Sequence, residues 1–306
     1  MDLDDPRLVS VPELEIFSSR AAAHLGEHPL FGCGSLVPLS GRTLAVVGTR
    51  APSEAGRRLT RRLGEELARA GVCVVSGLAV GIDAAAHEGS LLGGGRTIGV
   101  LGGGHRHFFP RTNRNLAERM LAAGGAVLSP FAPEQRPWPP NFLSRNGLVA
   151  ALADAVLVVE AAQRSGALNT AGWAADLGLP VMAVPGDVDR PKAAGCLALI
   201  RDGATLVRHI DDVLEVLGVA RPCSRSGESV PPPSDLSEAE MRLLATLSNG
   251  ERLLDDAVAA SGLGTGRALS AVTQLELAGL IERNGHGMLV RVVDGSLMRY
   301  REKEKV

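Results

Sequence analysis

Residues Leu44–Asp83 read LAVVGTRAPSEAGRRLTRRLGEELARAGVCVVSGLAVGID, and the fold turns on this stretch. The apolar run Leu44 to Val47 is too short for a helix and is closed by Gly48, so it reads as a strand buried on both faces. Pro52 and Ser53 then supply an N-terminal signal for an arginine-rich helix over roughly 54–70. A second buried strand, Val72 to Val75, runs into Ser76-Gly77 and a turn reaching Gly81. Strand, helix, strand with small residues at both strand ends predicts an open parallel sheet, whose carboxyl ends form the ligand edge. Small residues there admit an anion to the peptide N–H groups, and a helix N-terminus adds partial positive charge. Arg50 lies in that mouth.

Working outward, further apolar runs predict strands at 97–101, 126–129, 155–160, 180–184 and 204–207, alternating with amphipathic helices. The fold class expected is therefore α/β, an extended Rossmann-like parallel sheet over 41–218. Residues 1–40 hold one helix signal near Pro12 to Leu25 and read as an N-terminal helical extension. Residues 219–235 carry Pro222, Pro231, Pro232 and Pro233 without periodicity and read as a Pro/Ser-rich linker. The order helix, helix, helix, hairpin over 236–295, with Asn284-Gly285 at the hairpin, predicts a small winged helix, followed by a charged tail at 296–306.

Four motifs in order, VVGTR at Val46–Arg50, SGLAVGIDAAAH at Ser76–His87, TIGVLGGG at Thr97–Gly104 and SGALNTA at Ser165–Ala171, resemble the DprA/Smf family. The resemblance covers roughly 41–217, with a weaker match in the tail. It implies a single-stranded DNA-binding protein that protects incoming DNA in natural transformation and helps load the recombinase RecA. It also implies a homodimer through the sheet domain, for which the stripe Ile210, Val213, Leu214 and Leu217 offers an apolar face; docking of that stripe on the sheet is the alternative.

Composition bounds these expectations. A chain of 306 residues with 45% hydrophobic content can bury a sizeable core. Its formal net charge of −2 gives no global nucleic-acid signature, so DNA binding requires a local patch. Residues 41–217 hold 19 Lys and Arg against 16 Asp and Glu, whereas 236–295 hold 5 against 8. The would-be recognition helix offers only Arg267 beside Glu276, which favours a protein-contact module over a duplex reader. Cys33, Cys73, Cys196 and Cys223 lack C-x-x-C spacing, arguing against zinc and against a disulfide framework. No apolar run approaches a membrane span and no leader is evident, so a cytoplasmic protein without metal or cofactor is expected.

The candidate DNA-binding residues lie on the segments after successive strands. Gly48, Thr49 and Arg50 come first, Arg50 having the planar fork that suits phosphate. Arg111 takes a second phosphate role by its place in the family motif. Trp138 and Phe142, two of nine aromatic residues, sit in an apparent loop leading to Arg145 and Asn146 and read either as stacking platforms or, for Phe142, as core. Ser165 and Gly166 open a helix on the same edge, as a cap or as phosphate donors. Where the family reads R-N-R, this chain has Arg145-Asn146-Gly147, leaving either a structural difference or a weaker site. Arg57, Arg58, Arg61 and Arg62 read first as a solvated helix face, with DNA contact as the alternative, and His105 and His107 read as residues of an exposed loop.

Ser76, Gly77, Gly81, Asp83, His87 and Gly102 read as motif architecture. Asp83 and His87 lie four apart, yet no nucleophile or metal ligand accompanies them, so no catalytic residue is expected. A nucleotide-hydrolysing relative of this fold would carry P-G-G-x-G-T-x-x-E, whereas Gly102-Gly103-Gly104 is followed by His105 with no such glutamate. A winged-helix transcription regulator is the other rival, opposed by the acidity of the tail.

Overall fold

The structure, a computed structural model, describes residues 3–220, 236–247, 252–278, 280–283 and 288–291. The linker beyond Ala220, the Asn284-Gly285 turn, Cys223 and the tail at 296–306 lie outside the described residues. The chain divides into two compact units, Met1–Cys223 and Ser224–Val306.

The first unit opens with β1 (Arg7–Val9), α1 (Val11–Phe17), α2 (Ser19–Leu25) and β2 (Leu30–Gly34). The deciding stretch follows as β3 (Thr43–Val47), α3 (Glu54–Arg69) and β4 (Cys73–Ser76). The repeat continues with α4 (Ile82–Leu92), β5 (Thr97–Val100), α5 (Arg114–Ala122) and β6 (Ala126–Ser129). Beyond it come α6 (Pro139–Ala151), β7 (Ala155–Val158), α7 (Gly166–Asp176), β8 (Val181–Ala183), α8 (Ala194–Arg201), β9 (Thr205–Leu206) and α9 (Ile210–Leu217).

These strands form one sheet in the order β1-β2-β6-β5-β4-β3-β7-β8-β9, parallel from β6 to β9. Strand order reverses at β3, because β4 and β7 flank it, and the gap between β3 and β7 is the switch point at which such sheets bind ligands. Period-two alternation splits the core as a two-sided sheet requires. Leu44, Val46, Val74 and Leu157 pack with Leu63 and Leu67 of α3 and with α9. Ala45, Val47, Val75 and Val156 pack on the other face with Leu148 of α6 and Ala171 of α7. On α3 the buried positions Gly56, Thr60, Leu63, Gly64 and Leu67 follow helical spacing, and Ser53 caps the helix by accepting from Gly56 N–H at 3.0 Å.

One feature departs from the sequence reading, and another decides between alternatives it left open. Residues 1–40 are a helical extension only in part: β2 also joins the sheet antiparallel to β6, with Gly32 opposite Leu128, and β1 pairs antiparallel to β2. These strands are short, β2 is LFGCG, and nothing local marks a strand before β6 supplies the pairing edge. The stripe Ile210, Val213, Leu214 and Leu217 is buried against the sheet, so of its two readings docking on the sheet holds and the stripe is core.

In the second unit α10 (Glu238–Thr246), α11 (Leu254–Ser261) and α12 (Thr265–Leu277) precede the hairpin β10 (Ile281–Arg283) and β11 (Leu289–Arg291). This is the winged-helix order. Ala268, Ala271, Val272 and Leu275 of α12 face its small core.

Candidate nucleic-acid interface

The loop Gly48–Ser53 is fixed by the segment after β7 and by the start of α4. Thr49 N–H donates to the Glu160 carbonyl at 2.7 Å, and the Thr49 carbonyl accepts from Ile82 N–H at 3.2 Å. The Glu160 carboxylate accepts from Ser53 N–H at 2.8 Å and from the Ser53 hydroxyl. That carboxylate therefore occupies the N-terminus of α3. The anion site expected beside Gly48 from this helix dipole is already filled from within the chain, because β7 ends next to β3 and carries Glu160 into it.

Arg50, free of that cap, is exposed at the mouth of a crevice of about 350 Å³. Gly48 and Thr49 form one wall of it, Phe142 and Asn146 of α6 another, and Ser165 and Gly166 at the start of α7 a third. The Arg50 guanidinium lies over the Phe142 ring, 5.4 Å from its centre, a cation–π contact that holds the cation at the opening. Phe142 in turn meets Phe109 edge-on at 5.9 Å. Asn146 donates to the Gly166 carbonyl and to Asn169 Oδ1, each at 3.2 Å, and so ties α6 to the first turn of α7. Ser165 accepts from Ala167 N–H at 3.3 Å. This N-terminus opens on the crevice, which Asp83 also lines, and unlike that of α3 it has no carboxylate bonded to its first turn among the described residues.

Beneath the crevice lies a buried polar layer. Arg145, 3% exposed, donates to the Val100 carbonyl at 2.5 Å and lies against Gly77, where a Cβ would come 2.0 Å from its Nη1. Only glycine leaves room for that guanidinium. Asp83 accepts from Gly77 N–H at 3.1 Å and Ala79 N–H at 3.4 Å, shaping the turn between them. Burial pushes the Asp83 carboxyl upward, opposed by Arg145 and the two N–H groups. Burial pulls Arg145 down to about 10, with Asp83 opposing and Arg50 adding to the fall. Deeper still, His87 Nδ1 sits 2.7 Å from the Thr97 hydroxyl, which itself donates to the Val74 carbonyl, so Nδ1 carries the proton. Burial holds this imidazole at about 3, hence neutral. Ser76 donates to the Val46 carbonyl at 2.6 Å and links β4 to β3.

A family model for DNA recombination-mediator protein A matches residues 18–218, and one for the DprA winged-helix domain matches 227–287. The chain belongs to the DprA family. A DprA-named protein of Mycobacterium tuberculosis is 40% identical over 280 residues, covering 88% of this chain and 71% of that protein. Protein Smf of Escherichia coli is 38% identical over 256 residues, covering 82% and 68%. Among solved structures, DprA of Streptococcus pneumoniae superposes with TM-score 0.58 at 38% identity, over 61% of this chain and 65% of that one. DNA processing protein A of Helicobacter pylori, whose structure addresses a single-stranded DNA binding mode, gives 0.57 at 29% identity, over 62% and 86%.

In this DprA-family chain Gly48, Thr49, Arg50, Phe142, Arg145, Asn146, Ser165 and Gly166 converge on the crevice. Arg145, however, is a buried residue of its floor and not an exposed loop arginine, because Trp138–Asn146 is no loop: α6 begins at Pro139, where prolines at the first helical positions cost no hydrogen bond. Trp138 is 63% exposed at that helix start and does not line the crevice. Arg111 is exposed in a short 3-10 turn outside it. Gly102 abuts Phe142, where a Cβ would come within 2.5 Å of the ring. His105 is fully buried with Nε2 3.0 Å from the Val127 carbonyl, contrary to the exposed-loop reading. Gly147 faces away from the crevice, where a Cβ would meet His24 of α2 at 2.5 Å, so its departure from the family pattern belongs to the packing of α2 on α6. Sequence reading missed Leu143, Asn169 and Thr170, which signal only through their place on α6 and α7. Among the described residues no cluster of His, Cys, Asp or Glu could hold a metal ion, and no helix is long and apolar enough to cross a membrane.

Proposed function

We propose that this protein is a cytoplasmic single-stranded DNA-binding protein that acts without catalysis, with the crevice at the β3/β7 switch point as its nucleic-acid site. The observation that carries this reading is the Arg50–Phe142 pair at the mouth facing the open N-terminus of α7. A cation for phosphate, a ring for base stacking and N–H donors for a second anion are what an unpaired strand requires. Asp83 and His87 are committed to backbone and Thr97 contacts, which supports a binder over an enzyme. Protection of incoming DNA, loading of RecA and a homodimer are proposed from the family; after the burial of the α9 stripe, a dimer requires another surface.

The test is a titration of the full chain with oligothymidine and with duplex of equal length at one salt concentration. Tighter binding of the single strand is expected; equal affinities would defeat the single-strand reading. Acceleration of RecA filament formation on strands coated with single-strand-binding protein tests the mediator role.

A further inference from the structure

The crevice leaves the most concentrated charge of the first unit unused. Arg57, Arg58, Arg61 and Arg62 are all exposed on α3, opposite the buried positions Thr60, Leu63 and Leu67. Among the described residues none of the four has an ion pair or a side-chain hydrogen bond. Of the acids nearby, Glu65 pairs with Arg69 at 2.5 Å, Asp212 pairs with Arg208 at 2.8 Å and Glu160 caps the helix, while Glu54 and Glu66, four residues from Arg58 and Arg62 on the same helix, make no ion pair with them among the described residues.

A solvated helix face needs polarity, not one sign. Arg57 with Arg61 and Arg58 with Arg62 are like charges at i and i+4, which weaken a helix by a few tenths of a kcal/mol per pair. In a chain of net charge −2 this face is a local device and not a consequence of overall basicity. The four form two cationic pairs about 6 Å apart along the axis, from four residues at roughly 1.5 Å each. The helix starts four residues beyond Arg50, so along the chain its first turn follows the crevice mouth. It carries no aromatic residue, which suits contact with phosphates and not bases. The outward positions also lack the exposed large apolar groups that a helix lying on a membrane buries.

We infer that the outer face of α3 is a second anion track, taking the phosphate backbone of a single strand as it leaves the Arg50 crevice. This rests on the crevice being a single-strand site. The crevice sets the strand in place, and α3 adds sequence-independent, salt-sensitive affinity that only a strand long enough to reach it receives.

The experiment compares the full chain with its R57Q/R58Q/R61Q/R62Q variant on oligothymidines of about six and about thirty nucleotides, lengths that bracket the footprint of a compact single-strand site. Because the four side chains are exposed, the variant keeps its fold, checked by a melting temperature at or slightly above wild type in low salt. The variant should bind the short oligomer within about twofold of wild type and lose about ten- to a hundredfold on the long one, as two or more charged contacts would give. Its log–log salt slope on the long oligomer should be shallower by about 1.4 to 2.8, for two to four lost phosphate contacts. Wild-type affinity of the variant for the long oligomer overturns the track, as does an equal loss on both lengths or a loss confined to duplex. Those outcomes leave the crevice standing. A wild-type protein that binds neither oligomer removes the crevice reading and the track with it.

Discussion

Arg50 is the residue on which the proposed site depends, because its guanidinium is the cation at the crevice mouth and Phe142 fixes where it stands. Arg50→Ala should cost roughly 1.5 to 3 kcal/mol of binding, about ten- to a hundredfold, with a salt slope shallower by about 0.7. Arg61→Ala alone should cost much less on a short oligomer. Titration of both variants at several salt concentrations checks this, and an Arg50→Ala protein that binds like wild type would refute the assignment. His87 gives a residue-scale prediction of another kind. Its folded pKa of about 3 lies below the ordinary value near 6.5, so between those limits the unfolded chain holds a proton that the folded chain does not. Stability should therefore be complete above pH 6.5 and decline as pH falls toward 3, by at most about 1.4 kcal/mol per pH unit for this group. His105 and His24, also lowered by burial, add to the same slope. Urea unfolding at pH 7 and pH 5 measures it, and His87→Asn should show a smaller decline than wild type; an equal decline would clear His87 of the effect.

At the scale of elements, the cap of α3 decides how the Arg50 loop is held. Glu160 arrives at the end of β7, accepts twice from Ser53 and, through its carbonyl, from Thr49, so one residue joins strand, loop and helix. Glu160→Ala should destabilise the protein by about 1 to 3 kcal/mol, as loss of a charged cap and an orphaned donor require. It should also weaken DNA binding, although removal of an acid near a polyanion site would by charge alone strengthen it. A variant that binds more tightly than wild type would show that long-range charge outweighs loop placement. The contrast between α3 and α7 follows from the same chemistry: both begin with a serine cap, but among the described residues only α3 has a carboxylate bonded to its first turn.

For the whole molecule, the two units differ in charge and in exposed chemistry. The described part of the second unit presents Arg267 as the cation of α12, while Leu269 and Leu277 stand exposed on the same helix. Deletion of residues 236–306 should leave single-strand affinity within about twofold, since at most a few tenths of a kcal/mol of long-range repulsion are removed. A truncated chain that loses binding would transfer the site to the tail. If the tail serves a protein partner, the loss should appear in RecA loading instead.

The sequence by itself determined the seven strands from β3 to β9, the helices between them apart from α6, and the winged-helix order, because each is written locally as an apolar run or a helical period closed by Gly, Pro or Ser. It also determined that Gly48, Arg50, Ser165 and Gly166 share one edge, since right-handed parallel connections carry all strand ends to the same side. Only the tertiary structure decided the rest. β1 and β2 are strands because β6 offers an edge; Arg145 is a floor and not a contact because α6 begins at Pro139 and turns it inward; α9 is core because β7 and β8 cover its stripe. The α3 N-terminus is closed because β7 delivers Glu160 to it. Each of these depends on a partner distant in the chain, and a residue's burial, charge environment and exposure are properties of such partners, which no local pattern of residues encodes.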